Sequence, residues 1–193
     1  KARLTEDVPG YVERFEAAYG VDIRALPPEA VWRYAGRALA AYVTLAVSRD
    51  ARFDAWNAGD DTAMSDAAVR GLALFRGKAR CVTCHGGTFF SDFQFHNIST
   101  SPPAEGGPRA DEGRASITGD ASDGGAFLTP MLRSVGRTSP YFHDGLTTSL
   151  RSVIRHITGP DAALDPNHDP LVAVPVPLGD DEVDDLVEFL KAL

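Results

Sequence analysis

Both cysteines of this 193-residue chain fall in one pentapeptide, Cys81-Val82-Thr83-Cys84-His85. A disulfide framework calls for more cysteines than two. A redox pair of the thioredoxin kind would follow a strand, open a helix and have no need of the histidine. A structural zinc site needs a second pair of ligands at similar spacing, and there is no second Cys-x-x-Cys. Covalent attachment of a c-type haem uses all three residues. Two thiols add to the two vinyl groups of one rigid macrocycle, and the next residue, His85, reaches the iron from the proximal side. On the pentapeptide alone the zinc and redox-thiol readings stay open.

The flanking sequence suits a haem. From Ser65, a candidate N-cap, to Phe75 the apolar residues recur at helical spacing and lead the chain into Cys81. At the far end Asp180 is a candidate cap for a helix over 181–193. Its Val183, Leu186, Val187 and Leu190 form an i, i+3, i+4, i+7 stripe. A helix before the attachment motif packed on a terminal helix is the plan of small c-type cytochromes. The expected fold is therefore mainly α, a class I cytochrome c-like helical domain with long irregular loops wrapped on the haem. Residues 65–193 form that domain, and 1–64 a helical extension of it.

In the extension, 12–19 reads as a short helix broken by Gly20, and 29–49 as a longer one. The longer helix has a broad apolar face that includes Val31, Tyr34, Ala35, Leu39, Tyr42 and Val43. The segment 53–61, with Asn57, Gly59 and Asp60, reads as a turn. From 86 to 140 periodic elements are few, and Gly, Pro, Ser, Thr and Asp dominate. A loop region that long implies function or a cofactor that organises it. A short helix is expected over 150–157, and extended chain over the Pro-rich 159–177. There is no internal repeat.

Composition narrows the partners. The net charge is −8, with 19 Lys and Arg against 27 Asp and Glu and no basic run. That excludes the basic face nucleic-acid binding requires and favours a basic protein partner. No apolar run approaches the roughly 20 residues that span a bilayer. Lys1 is not an initiator methionine, so the chain reads as a mature or trimmed product.

Further blocks carry a resemblance. They are Phe53-Asp54 with Gly59-Asp60; Gly71-x-x-Leu74-Phe75; the pentapeptide; Phe90-Ser91-Asp92; Phe95-His96-Asn97; Asp111-x-Gly113-Arg114; and Thr118-Gly119. The closing blocks are Phe127-x-Thr129-Pro130-x-Leu132-Arg133-x-Val135, Pro140-Tyr141-Phe142-His143-Asp144-Gly145 and Ser149-Leu150-x-x-Val153. Together they resemble the C-terminal haem domain of the bacterial di-haem cytochrome c peroxidase/MauG family. The resemblance implies an exported, periplasmic enzyme with two haem c groups, of which this chain holds one. The second haem domain of the same enzyme, hydrogen peroxide and a small redox protein donor (a cytochrome c or cupredoxin) are the implied partners. Two activities are implied: electron transfer for peroxide reduction, and MauG-like peroxide-dependent oxidation of a protein substrate. A mono-haem electron-transfer cytochrome c is the alternative from another class.

The family's sixth haem ligand, Met or Tyr, aligns with Ile157, which cannot bind iron. The adjacent His156 is a candidate, one helical step of about 100° away. Met131 is another, and an open site a third; Met64 reads as core or loop. Arg133, with Arg114 second, is a candidate partner for a haem propionate, as is His96. Each has the plainer reading of a loop histidine or an ion pair. The carbonyls of Thr138 and Pro140 match positions that help hold a Ca2+ ion in the family. His143 is expected to act in the site or tie its turn, and His168 to be solvated. Trp32 and Trp56 are expected to pack in the core.

Overall fold

Gly71 decides how closely the two principal helices approach. In the computed structural model α4 (Asp66–Arg76) crosses α7 (Asp180–Leu190) at this residue. A Cβ there would lie 2.0 Å from the Asp185 carbonyl oxygen and 2.8 Å from the Phe189 Cβ. With that space clear, Ala68, Leu72 and Phe75 of α4 bury against Val183, Leu186, Phe189 and Leu190 of α7. Ser65 caps α4, its Oγ accepting from the Ala68 N–H at 3.2 Å. The cap of α7 is Gly179 rather than the expected Asp180: the Gly179 N–H donates to the Glu182 carboxylate at 2.8 Å.

The structure describes all residues other than 46, 47, 49, 106, 161–164 and 173–175. It divides into two compact units, Lys1–Val47 and Ser48–Leu193. In the first, a π-turn (Arg3–Asp7) is followed by α1 (Tyr11–Tyr19) and α2 (Pro28–Leu45). Gly20 ends α1 in the left-handed region, φ 67°. Phe15, Ile23 and Val31 form this unit's small core, with Tyr19 and Tyr34 packed on it. The broad apolar face expected of α2 is buried only at its start. Trp32 is 76% exposed and Leu39 62%, against 2% for Val31. Trp32 lies about 100° round the helix from Val31 and so misses the core this unit builds. The end expected for this helix, and part of the extended segment expected over 159–177, lie outside the described residues.

Residues 48–64, grouped by sequence with the extension, belong to the second unit. What reads as a turn begins there as the short helix α3 (Arg52–Asn57). Its Phe53 inserts into an aromatic cluster. Phe189, fully buried, meets Phe75, Phe53 and Phe90 edge-on at centroid distances of 5.0, 6.0 and 6.3 Å. Trp56 packs on the same core, as expected. α6 (Leu150–Thr158) is capped by Ser149 and buries Leu150, Ile154 and Thr158 at i, i+4, i+8. The fold is mainly helical and cytochrome c-like.

The long stretch between the motif and α6 holds a two-stranded antiparallel ribbon, β1 (Phe95–His96) with β2 (Phe127–Leu128), the one-turn α5 (Ala115–Thr118) and two 3-10 turns. Polar links fasten it. The buried Asn97 amide donates to the Gly124 carbonyl at 2.8 Å. The Arg109 guanidinium pairs with Asp165, which is 1% exposed, and donates to the Ser101 carbonyl at 3.0 Å. Gly125, at φ 72°, permits this gathering, since a Cβ there would meet Asn97 and Arg109 at 2.7 and 2.8 Å.

Candidate haem-attachment site

Arg80, in the left-handed region at φ 58°, turns the chain from α4 into a 3-10 turn over Cys81–Thr83. The His85 N–H donates to the Cys81 carbonyl at 2.9 Å, which closes the pentapeptide into one compact loop. Residues 86–92 then double back: the Ser91 N–H reaches the Gly86 carbonyl at 3.1 Å and the Asp92 N–H the Cys84 carbonyl at 2.8 Å. Both thiols are free, so the pair is not a disulfide. Burial pushes the Cys81 thiol up to about 12 and the Cys84 thiol to about 11, the latter helped by the charges of Asp92 and Asp169. Both are therefore protonated at neutral pH, unlike the activated thiols of redox pairs.

His85 is set for one task. Its Nδ1 lies 2.8 Å from the Phe90 carbonyl oxygen and donates to it, and the Pro130 carbonyl also faces the ring. Burial lowers its pKa, so the ring is neutral and able to bind a metal. Two free thiols at this spacing and a neutral imidazole of fixed tautomer fit the demands of a c-type haem. A 450 Å³ cleft lined by Phe53, Asp54, Arg76, Val82, His85 and Arg133 opens beside the motif.

The other candidates are dispersed around this centre. Arg133 lies over the Phe90 ring at 5.3 Å and is committed to protein partners: Asp54 at 2.6 Å and the Thr88 carbonyl at 3.0 Å. Arg114 pairs with Asp123 at 3.0 Å. His156, on α6, places Nε2 2.8 Å from the Ile98 carbonyl, its ring edge-on to Phe142 at 5.2 Å. Met64 is buried in the core and Met131 is half-buried. Thr138 and Pro140 lie on an exposed turn with a cis Ser139–Pro140 peptide. His143 stacks on Phe127 at 3.7 Å and faces Asp111 at 3.8 Å. His168 is half-buried rather than solvated, with Nδ1 2.7 Å from the Asp165 carbonyl.

His96 is brought to the motif itself. Its Nδ1 lies 2.5 Å from Asp169 and its Nε2 2.9 Å from Asp92. Burial works against charge on the ring, but the two carboxylates outweigh it and raise its pKa. Ligating atoms of Cys84, Asp92 and His96 lie within 4.8 Å of one another. Sequence reasoning missed Asp92 and Asp169 as members of this group. The i, i+4 spacing of Asp92 and His96 was a usable signal, whereas Asp169 is 73 residues from His96.

No protein-family model matches the chain. Curated relatives do. The cytochrome-c peroxidase IdrP1 of Denitromonas iodatirespirans is 35% identical over 213 residues, covering 96% of this chain and 54% of its own length. The methylamine utilization protein MauG of Methylorubrum extorquens is 36% identical over 187 residues, covering 96% and 50%. The chain belongs to the di-haem cytochrome c peroxidase/MauG family. It spans about half the length of these relatives. A solved MauG-like protein associated with microbial copper homeostasis superposes with a TM-score of 0.67 at 32% identity, over 76% of this chain and 52% of its own. The di-haem peroxidase BthA of Burkholderia thailandensis shares the fold, also with a TM-score of 0.67, over 95% of this chain and 56% of its own. No helix among the described residues is long and apolar enough to cross a membrane.

Proposed function

We propose that this chain is the C-terminal haem c domain of a periplasmic di-haem peroxidase and passes electrons for the reduction of hydrogen peroxide. The observation that carries the reading is the pentapeptide loop, with two free thiols and the His85 Nδ1 held by the Phe90 carbonyl. Cys81 and Cys84 would anchor the macrocycle and His85 Nε2 would hold the iron. The bound haem supplies reversible one-electron chemistry, so what the chain's own residues contribute is placement and potential.

Around the haem, Arg133 and His96 are the side chains proposed to face the propionates. Asp54 and Thr88 hold Arg133 in place, and Asp92 and Asp169 hold His96. His156 is the α6 side chain with the chemistry to serve as the sixth ligand, and it would have to give up its bond to the Ile98 carbonyl to do so. The carbonyls of Thr138 and Pro140 are the proposed Ca2+ ligands, toward the second haem domain. A net charge of −8 suits docking of a small redox donor with a basic face.

The 36% identity to MauG favours a second reading, in which the same domain serves peroxide-dependent oxidation of a protein substrate. The complete natural enzyme separates the two. Peroxide-dependent oxidation of a reduced small cytochrome or cupredoxin supports the peroxidase. A mass change on a co-purified protein, with slow donor turnover, supports the MauG-like role. Inertness to peroxide leaves an electron carrier and overturns both.

A further inference from the structure

The zinc reading of the pentapeptide lacks a second set of ligands in the sequence, and the fold supplies one. Cys84 ends the 3-10 turn; Asp92 is brought to it by the bond from its own N–H to the Cys84 carbonyl; and His96 is placed by the pairing of β1 with Phe127. None of these placements depends on the three side chains touching. The ligating atoms nevertheless lie within 4.8 Å of one another, thiol, carboxylate and imidazole together. Tetrahedral zinc with bonds of 2.0–2.3 Å needs separations of about 3.3–3.7 Å, so closure is a matter of rotamers.

An independent contact points the same way. His96 Nδ1 bonds Asp169 at 2.5 Å, and the Asp169 N–H is fixed to the Asn97 carbonyl at 2.9 Å. A carboxylate behind the far nitrogen of a histidine fixes its tautomer and raises its basicity as a ligand, the arrangement found behind histidines that bind zinc. Cys81 points elsewhere, with its sulfur 3.7 Å from the Ala79 carbonyl.

We propose that, before haem is attached, Cys84, Asp92 and His96 form a binding site for a zinc-like divalent ion, with Asp169 as the supporting carboxylate. Binding releases two protons, one from the Cys84 thiol as it becomes thiolate and one from His96 Nε2, which donates to Asp92 in the ion-free site. The bond between His96 Nε2 and Asp92 gives way to two bonds to the ion, and a water completes the shell. Because Cys84 is also a proposed haem anchor, ion and haem exclude one another. The proposal goes beyond the electron-transfer reading and concerns the haem-free chain.

The test is titration of the reduced, haem-free 193-residue chain with Co2+, whose thiolate-to-metal absorption reports sulfur ligation, followed by displacement with Zn2+. The expected result is one ion per chain with a thiolate band. Cys84→Ser and His96→Gln abolish the band, and Cys81→Ser retains it. Asp169→Asn keeps all three ligands and weakens affinity about 10–100-fold. Circular dichroism of each variant confirms that it is folded, and Asp169→Asn keeps the test decisive should a ligand variant fail to fold. Absence of a thiolate band in the wild-type chain overturns the proposal. So does a band lost in Cys81→Ser and kept in His96→Gln, which would place the ion on the cysteine pair.

Discussion

The second unit holds its two halves together by different means. The helical frame of α3, α4, α6 and α7 closes on an apolar cluster around Phe189. The segment from the haem motif to α6 is fastened by Asn97, the Arg109–Asp165 pair and the two carboxylates on His96. Apolar burial is tolerant of detail and indifferent to pH. Polar fastening is specific in geometry, costly when broken and tied to protonation. The contrast suits a cytochrome domain: the loop segment lends Phe90 and Val135 to the frame's core, while the rest of it is set in position by polar links.

Substitutions sharpen the contrast. Phe189→Ala removes the ring that three other aromatics meet and is expected to cost about 4 kcal/mol, read as a loss of stability of the whole unit in denaturant. Asp165→Asn leaves the Arg109 guanidinium buried beside a neutral partner. It is expected to cost about 3 kcal/mol, seen in hydrogen exchange as faster opening around residues 97–101 than in α4 and α7.

The pH dependence follows from the same pairs. Burial pushes the Asp165 carboxyl up, but Arg109, with hydrogen bonds from the Asn167 N–H and the Asn97 side chain, outweighs it and holds the pKa below its ordinary 3.8. That stabilisation is present above pH 3.8 and lost as pH falls through the lowered value. His96 is opposite in sign. Its pKa is raised, so its contribution is full below the ordinary 6.5 and lost as pH rises through the raised value. Thermal melts of the haem-free chain across pH 6–9 are expected to show this loss, and His96→Gln to remove it. The smallest effect belongs to the frame's edge: Ser65→Ala removes the α4 cap and costs about 1 kcal/mol by the same melts.

The frame was legible where residues act locally. Ser65, Gly20 and the stripe from Val183 to Leu190 specify their helices through caps and periodicity. α3 was not, because Phe53 and Trp56 tie six residues to a cluster formed by partners far along the chain. Trp32 misled, because its helix lies in a unit too small to cover every apolar position. The chemistry of Cys81, Cys84 and His85 could be read from spacing alone, since the motif is contiguous. The Asp169 carboxylate on His96 and the partner of Arg109 could not, because 73 and 56 residues separate Asp169 and Asp165 from the groups they hold.

The most direct test of the central claim is the haem content of the chain produced together with a cytochrome c maturation system, by pyridine haemochrome assay and denaturing mass spectrometry. One haem per chain, covalently retained and absent from the Cys81→Ser/Cys84→Ser variant, is the predicted result. A folded wild-type chain that emerges without haem, or a haem retained when both cysteines are gone, would contradict the account.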